Sequence, residues 1–216
     1  MNRFLTAILT LALSLAPVVP SQAQLSQPII RYDTVHHAIK AYHGMVVSQN
    51  AVASVVGRNI LQKGGNAVDA AVAMGFALAV TLPRAGNIGG SGFMLIHLAD
   101  GNNTVALDYR SMAPLGSRPE DIMDTSGDVE WDRVTFGPHA SAIPGTVAGL
   151  HHAWKAHGSL PWAELVQPAI DLAAKGIRVS TDLNFALEQA GRVLAATPAT
   201  AAIYLRFDGY AWRPGQ

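Results

Sequence analysis

AGNIGGSGFMLIHLADGNNTVALDYRSMAP, Ala85 to Pro114, is the run whose reading sets the fold class of this chain. Its glycine-rich loop, Gly86 to Gly92, opens into Phe93 to Leu98, whose apolar residues bounded by turn signals predict a strand. Asp100-Gly101-Asn102-Asn103 is turn chemistry, and Thr104 to Tyr109 returns as the partner strand, so the pair predicts an antiparallel hairpin. At its end Arg110 stands where strand becomes loop. A guanidinium there can grip a carboxylate through two parallel hydrogen bonds that a lysine cannot reproduce, which points to an acidic small-molecule substrate. A solvated ion pair is the ordinary fate of a strand-end arginine, so the residue type alone does not decide between the two.

Working outward, Met45 to Ser48 reads as a short strand. Val52, Val55, Val56 and Ile60 recur at helical spacing and predict an amphipathic helix ending at Lys63, with Gly64-Gly65 as its left-handed cap. Asn66 is placed to cap the next helix, with Asp69 in its first turn. That helix, Ala67 to Val80, is apolar all round except for Asp69 and is therefore expected to be buried on most sides. Gly75 would let another element approach it closely. Downstream, the polar, turn-rich stretch Ser117 to His139 reads as a long surface loop. Three helices follow: Thr146 to His157, Pro161 to Ala174 with a kink expected at Pro168, and Thr181 to Ala190. Tyr204 to Phe207 and Tyr210 to Trp212 read as two short strands about Asp208-Gly209, with Arg213 to Gln216 starting a further turn. Helices layered on an antiparallel sheet make the class α+β.

Composition removes several functions. Fifteen basic and fifteen acidic side chains balance without long runs of one sign, so nothing points to nucleic acid or an anionic membrane surface. With no cysteine there is no disulfide framework, thiolate nucleophile or thiolate ligand. Arg3, the apolar run Phe4 to Val19 and the small-x-small site Ser21-Gln22-Ala23 read as a signal peptide, residues 1–23. That run is shorter than the roughly 20 apolar residues of a spanning helix, and Pro17 and Pro20 interrupt its end, so no membrane span is expected after cleavage.

Two further segments join the opening run and its closing motif Leu107-Asp108-Tyr109-Arg110-Ser111-Met112-Ala113-Pro114 in a wider pattern: Gly64-Gly65-Asn66-Ala67-Val68-Asp69-Ala70-Ala71 before it and Pro144-Gly145-Thr146-Val147-Ala148-Gly149 after it. Together they resemble the N-terminal part of the large subunit of γ-glutamyltransferases (γ-glutamyltranspeptidases), from about Gly44 onward. The resemblance implies an αββα sandwich of the N-terminal-nucleophile hydrolase type, of which residues 24–216 form an incomplete N-terminal portion. It also implies transfer of a γ-glutamyl group from a donor such as glutathione to an amino acid, a peptide or water, through an acyl-enzyme on threonine. Arg110 falls on the family's arginine that binds the donor's α-carboxylate. Asp108, two residues away on the same strand face, either buttresses that guanidinium or bridges elsewhere, and is taken as structural. The family's nucleophile lies in its C-terminal part, on a small catalytic subunit. No cofactor or metal is implied.

No catalytic residue is assigned within this chain. Thr146 precedes a helix and reads as an N-cap or first-turn residue, whereas an N-terminal nucleophile needs its own free α-amino group. The chain is thus expected to stop short of the nucleophile and, alone, to be inactive. Two other readings remain open: a β-lactam side-chain acylase of the same fold, similar to cephalosporin acylases, and a non-catalytic exported remnant. The glycine loop lacks the Gly-Lys-Ser/Thr of a phosphate cradle and opens a strand. His36-His37 and His151-His152 are adjacent pairs whose side chains diverge, so no metal site is expected, and Asp124 to Asp128 lacks the closing glutamate of a calcium loop. Asn102-Asn103-Thr104 is a glycosylation sequon on the hairpin tip. The signal predicts a periplasmic or secreted protein whose mature N-terminus is Gln24, and mass spectrometry finding intact Met1 in the cytoplasm would contradict it.

Overall fold

The computed structural model describes residues 37–99, 101, 103–136 and 138–216. The signal peptide, most of the leader, His36 and the sequon residue Asn102 lie outside the described residues. All the elements that follow belong to one compact unit, Ala41–Gln216.

The helix pair forms as its caps dictate. Helix α1, Ala51–Gln62, begins at Asn50, whose side chain accepts from the N–H groups of Val52 and Ala53, and buries Ala53, Val56 and Ile60. Gly64, at φ 93°, turns the chain, and the Gly64 and Gly65 N–H groups bond the carbonyls of Leu61 and Ile60. A side chain at Gly64 would strain that left-handed conformation. Helix α2, Ala67–Thr81, opens on a capping box formed by Asn66 and Asp69. Its apolar girth takes it through the centre of the molecule, packed against α1 and two later helices, α4 and α5 (Thr146–His157 and Trp162–Lys175). Gly75 sits where an added Cβ would lie 3.1 Å from the Leu150 side chain of α4.

The hairpin is β1, Gly92–Leu98, against β2, Asn103–Tyr109, antiparallel from Gly92↔Tyr109 to Leu98↔Asn103. Alternation gives it two unlike faces. Ile96 is buried in the core with Met94, Leu98 and Leu107 packed beside it. Phe93 and Leu95 point the other way and are 66% and 76% exposed. The described residues therefore supply one layer of helices on one layer of sheet, with the far face of that sheet uncovered.

Asp69 is fully buried. Its carboxylate accepts from the N–H of Asn66 at 2.9 Å, from the N–H of Ser159 at 3.0 Å, from that of Leu160 at 3.3 Å and from the Ser159 hydroxyl. Asn66 extends the link, its amide donating to the His157 carbonyl at 2.7 Å. The start of α2 is thus bound to the turn between α4 and α5. Burial pushes the Asp69 carboxyl up, but the Ser159 hydroxyl and the three backbone N–H groups outweigh it and hold the group below its ordinary value.

Four expectations are corrected. Met45 to Ser48 forms no strand pairing among the described residues; Val46 instead packs on the core. The stretch 117–139 is exposed as expected, yet it contains 3₁₀ turns Pro119–Ile122 and Pro138–Ala140 and a short helix α3, Trp131–Phe136. Helix α6, Thr181–Ala195, runs past Ala190, because the half-buried Leu194 continues the buried stripe of Leu183 and Leu187 and offsets the cost of Gly191. The two C-terminal strands reduce to one bridge, Leu205↔Ala211, with Tyr204 closing helix α7, Pro198–Tyr204. An isolated pair of strands is marginal without others to extend it, and the tail is held instead by backbone bonds of Gly215 and Gln216 to Val179. Helix α5 carries across Pro168.

Asp69→Ala leaves four part-buried donors, three backbone N–H groups and the Ser159 hydroxyl, without their acceptor and should cost about 2–4 kcal/mol of folding stability, measured by chemical denaturation. Because the folded-state pKa is depressed, Asp69's contribution is fully present above the unfolded carboxyl's range, near 3.8, and is lost as pH falls through the folded value. The stability gap between parent and Asp69→Ala should therefore shrink on acidification below about pH 4 and stay constant above about pH 5.

Candidate functional site

The motif segments that lie far apart in sequence meet around the end of β2. Arg110 is the first residue past the strand. On one side lies the glycine loop, closed by Gly90 N–H on the Asn87 carbonyl at 3.0 Å and Gly89 N–H on the Asn87 side chain at 2.8 Å. On the other lies Pro144-Gly145-Thr146, the start of α4. The Gly90 carbonyl joins the two by accepting from Gly145 N–H at 2.9 Å and Thr146 N–H at 3.2 Å. Those first-turn donors of α4 are therefore spent on the chain itself, and the glycine loop opens a strand.

Tyr109 is gripped between these segments. A Cβ at Gly145 would lie 2.0 Å from the Tyr109 carbonyl oxygen, and one at Gly149 would lie 2.1 Å from its ring. The ring also covers Gly92, and its hydroxyl reaches the Phe93 carbonyl at 3.4 Å. Burial pushes the phenol above its ordinary value. Beyond Arg110, Met112 exchanges two backbone bonds with Ile143, at 2.8 and 3.3 Å, and the Ser111 and Ser91 hydroxyls meet at 3.3 Å. Between Tyr109 and Ser111, Arg110 is exposed, and among the described residues no carboxylate pairs with its guanidinium. A cleft of about 420 Å³ opens just past it, between Ser111 to Pro114 and His139 to Ala142.

Asp108 does not reach the guanidinium. Its carboxylate accepts the backbone N–H of Arg110 at 2.9 Å. Thr146 is the first residue of α4, with Gly145 as N-cap, an interior position with no free amino group. His151 packs tilted on Trp154 at 5.2 Å and edge-to-face on Trp162 at 5.1 Å. Asp124 caps its own turn by accepting from Ser126 and Asp128 N–H. No group of three potential metal ligands occurs among the described residues. No local sequence signal marks the bidentate pair Arg84–Asp182, at 2.7 and 2.8 Å, which ties the approach to the glycine loop to the first turn of α6; its partners are 98 residues apart.

Comparison with known proteins adds a second line of support. The family model described as Gamma-glutamyltranspeptidase matches residues 53–216. The glutathione hydrolase proenzyme of Escherichia coli is 43% identical over 185 residues, which are 85% of this chain and 30% of that protein. The chain thus spans about a third of the length of such curated relatives. The solved structure of Helicobacter pylori gamma-glutamyltranspeptidase superposes with a TM-score of 0.79 at 37% identity, covering 83% of this chain and 51% of that one. A cephalosporin acylase from Bacillus halodurans, TM-score 0.64 at 24% identity, shares the fold alone.

Gly145→Ala should displace the Tyr109 carbonyl and the end of β2, since backbone cannot yield as a flexible side chain does. A loss of about 2–3 kcal/mol is expected from such overpacking, read as a lowered melting temperature, whereas Gly101→Ala, with nothing within 4 Å of the added Cβ, should leave it unchanged.

Proposed function

The chain belongs to the gamma-glutamyltranspeptidase family, and from that premise we propose that it forms the N-terminal part of the large subunit of a γ-glutamyltransferase and glutathione hydrolase. In this reading Arg110 holds the α-carboxylate of the γ-glutamyl donor. The observation that carries it is the convergence of the glycine loop, the Leu107–Pro114 segment and the start of α4 on the backbone around an arginine whose guanidinium has no partner among the described residues. A fixed backbone and an unspent fork are what bidentate capture of a carboxylate requires.

The chemistry then divides between two parts of the protein. A threonine hydroxyl on the small catalytic subunit attacks the γ-carbonyl of glutathione or another γ-glutamyl amide. The amine leaves, and water or an acceptor amino acid resolves the acyl-enzyme. Arg110 contributes orientation: with the α-carboxylate pinned, the γ-carbonyl lies at a fixed distance from the nucleophile. Residues 24–216 act in the periplasm or outside the cell after removal of residues 1–23. Autocatalytic cleavage of a proenzyme exposes the threonine. The uncovered hairpin face, with Phe93 and Leu95 outward, fits one half of an αββα sandwich.

A graft tests the arginine. In the E. coli relative with residues 51–216 of this chain replacing the segment they match, and in that relative itself at the aligned position, Arg110→Ala should lower kcat/KM for γ-glutamyl donors. Losing one partner of a desolvated charge pair costs about 2–5 kcal/mol, or roughly 30-fold to several-thousand-fold. Arg110→Lys should recover only part of it, keeping charge but losing the fork. Processing of the proenzyme should survive. Normal maturation with undiminished kcat/KM in Arg110→Ala would exclude the role.

A further inference from the structure

We propose that Asp108 is a positioning residue for Arg110, acting on the arginine's backbone: by holding the Arg110 N–H it sets the direction in which the guanidinium leaves the end of β2. This rests on the donor-carboxylate reading of Arg110 and deepens it.

The hairpin register ends at Gly92↔Tyr109, so the ladder fixes Tyr109 but offers Arg110 nothing. On one side of Arg110 the chain is locked by the close approach of Gly145 and Gly149 to Tyr109. On the other it is locked by the paired bonds of Met112 and Ile143. Between these fixed points the Arg110 N–H finds its acceptor in a side chain, Asp108 Oδ1 at 2.9 Å. That bond closes an Asx-type turn and restricts the Arg110 backbone to the conformation that accompanies it. Arginine's head lies several bonds from its Cα, so a small rotation at that Cα displaces the fork widely, and an error of about 1 Å in substrate position can cost on the order of 100-fold in rate. Asp108 lies on the uncovered face of the hairpin, opposite Phe93, and so contributes little to core packing.

The division of labour predicts a substitution pattern. Asp108→Ala removes the acceptor, while Asp108→Asn keeps the same oxygen and removes only the charge. In the graft and in the E. coli relative, Asp108→Ala should lower kcat/KM for a γ-glutamyl anilide about 3- to 30-fold, mainly through KM, with maturation intact. Asp108→Asn should recover to within about three-fold of the parent. Because the aspartate acts through Arg110, Asp108→Ala placed on Arg110→Ala should add no further loss. It should also have no effect on the 4-aminobutanoyl anilide, the same donor skeleton without its α-carboxylate. A loss that adds in full to that of Arg110→Ala, or that falls equally on both anilides, would mark Asp108 as merely structural and overturn the proposal. So would parental kinetics in Asp108→Ala while Arg110→Ala is impaired, an outcome that leaves the role of Arg110 standing. Parental kinetics in Arg110→Ala would remove both.

Discussion

The Asp69 carboxylate, with no exposed surface and four donors pointing at it, is the contact on which the rest of the arrangement depends. A buried charge is tolerated only when its hydrogen bonds are made. Here they come from the start of α2 and from the turn between α4 and α5, about 90 residues on. Satisfying the charge therefore fixes the central helix against that turn, and with it the axis of α4. The edge-to-face contact of Phe76 with Trp162 at 5.5 Å and the Trp154 indole bond to the Leu160 carbonyl at 2.8 Å reinforce the same junction.

From that junction the constraint passes along α4 to its other end. Gly145 and Gly149 stand one helical turn apart, both against Tyr109, while Gly75 admits Leu150 from the next position along. The absence of three Cβ atoms lets α4 lie close to both α2 and the last residue of β2. A helix spaced by ordinary side chains would stand farther off, and the Gly90 carbonyl could not reach the first N–H groups of α4. The glycine loop, the strand end and the helix start thus make one rigid surround for Arg110. The bidentate Arg84–Asp182 pair ties the segment leading into the glycine loop to the start of α6, although both partners are solvent-exposed and their attraction is screened.

Local signals in the sequence carried far where the physics was local. The α1 and α2 caps, the hairpin and its turn, and the place of Arg110 at the strand end were all legible, because capping, alternation and turn chemistry act over a few residues. They failed where a segment's state depends on distant partners. Among the described residues, Met45 to Ser48 has strand-like residues but no strand to pair with, and Tyr204 to Trp212 carries one bridge. The helix expected to end at Ala190 runs on through Gly191 to Ala195, packing of Leu194 outweighing the glycine's modest propensity cost.

For the site, the sequence by itself determined the residue types: an arginine able to fork a carboxylate, glycines able to bring backbones together, and an aspartate two residues before the arginine. Their sharing of one place was decided by the tertiary structure. The Gly90 carbonyl meets Gly145 across more than fifty residues of chain, and no period or propensity encodes that distance. Whether Asp108 faced the guanidinium or the backbone was likewise undecided by spacing, since residues two apart on a strand share a face in either case. The end of the ladder at Tyr109 settled it, because the next N–H has no strand partner and donates to the Asp108 carboxylate instead.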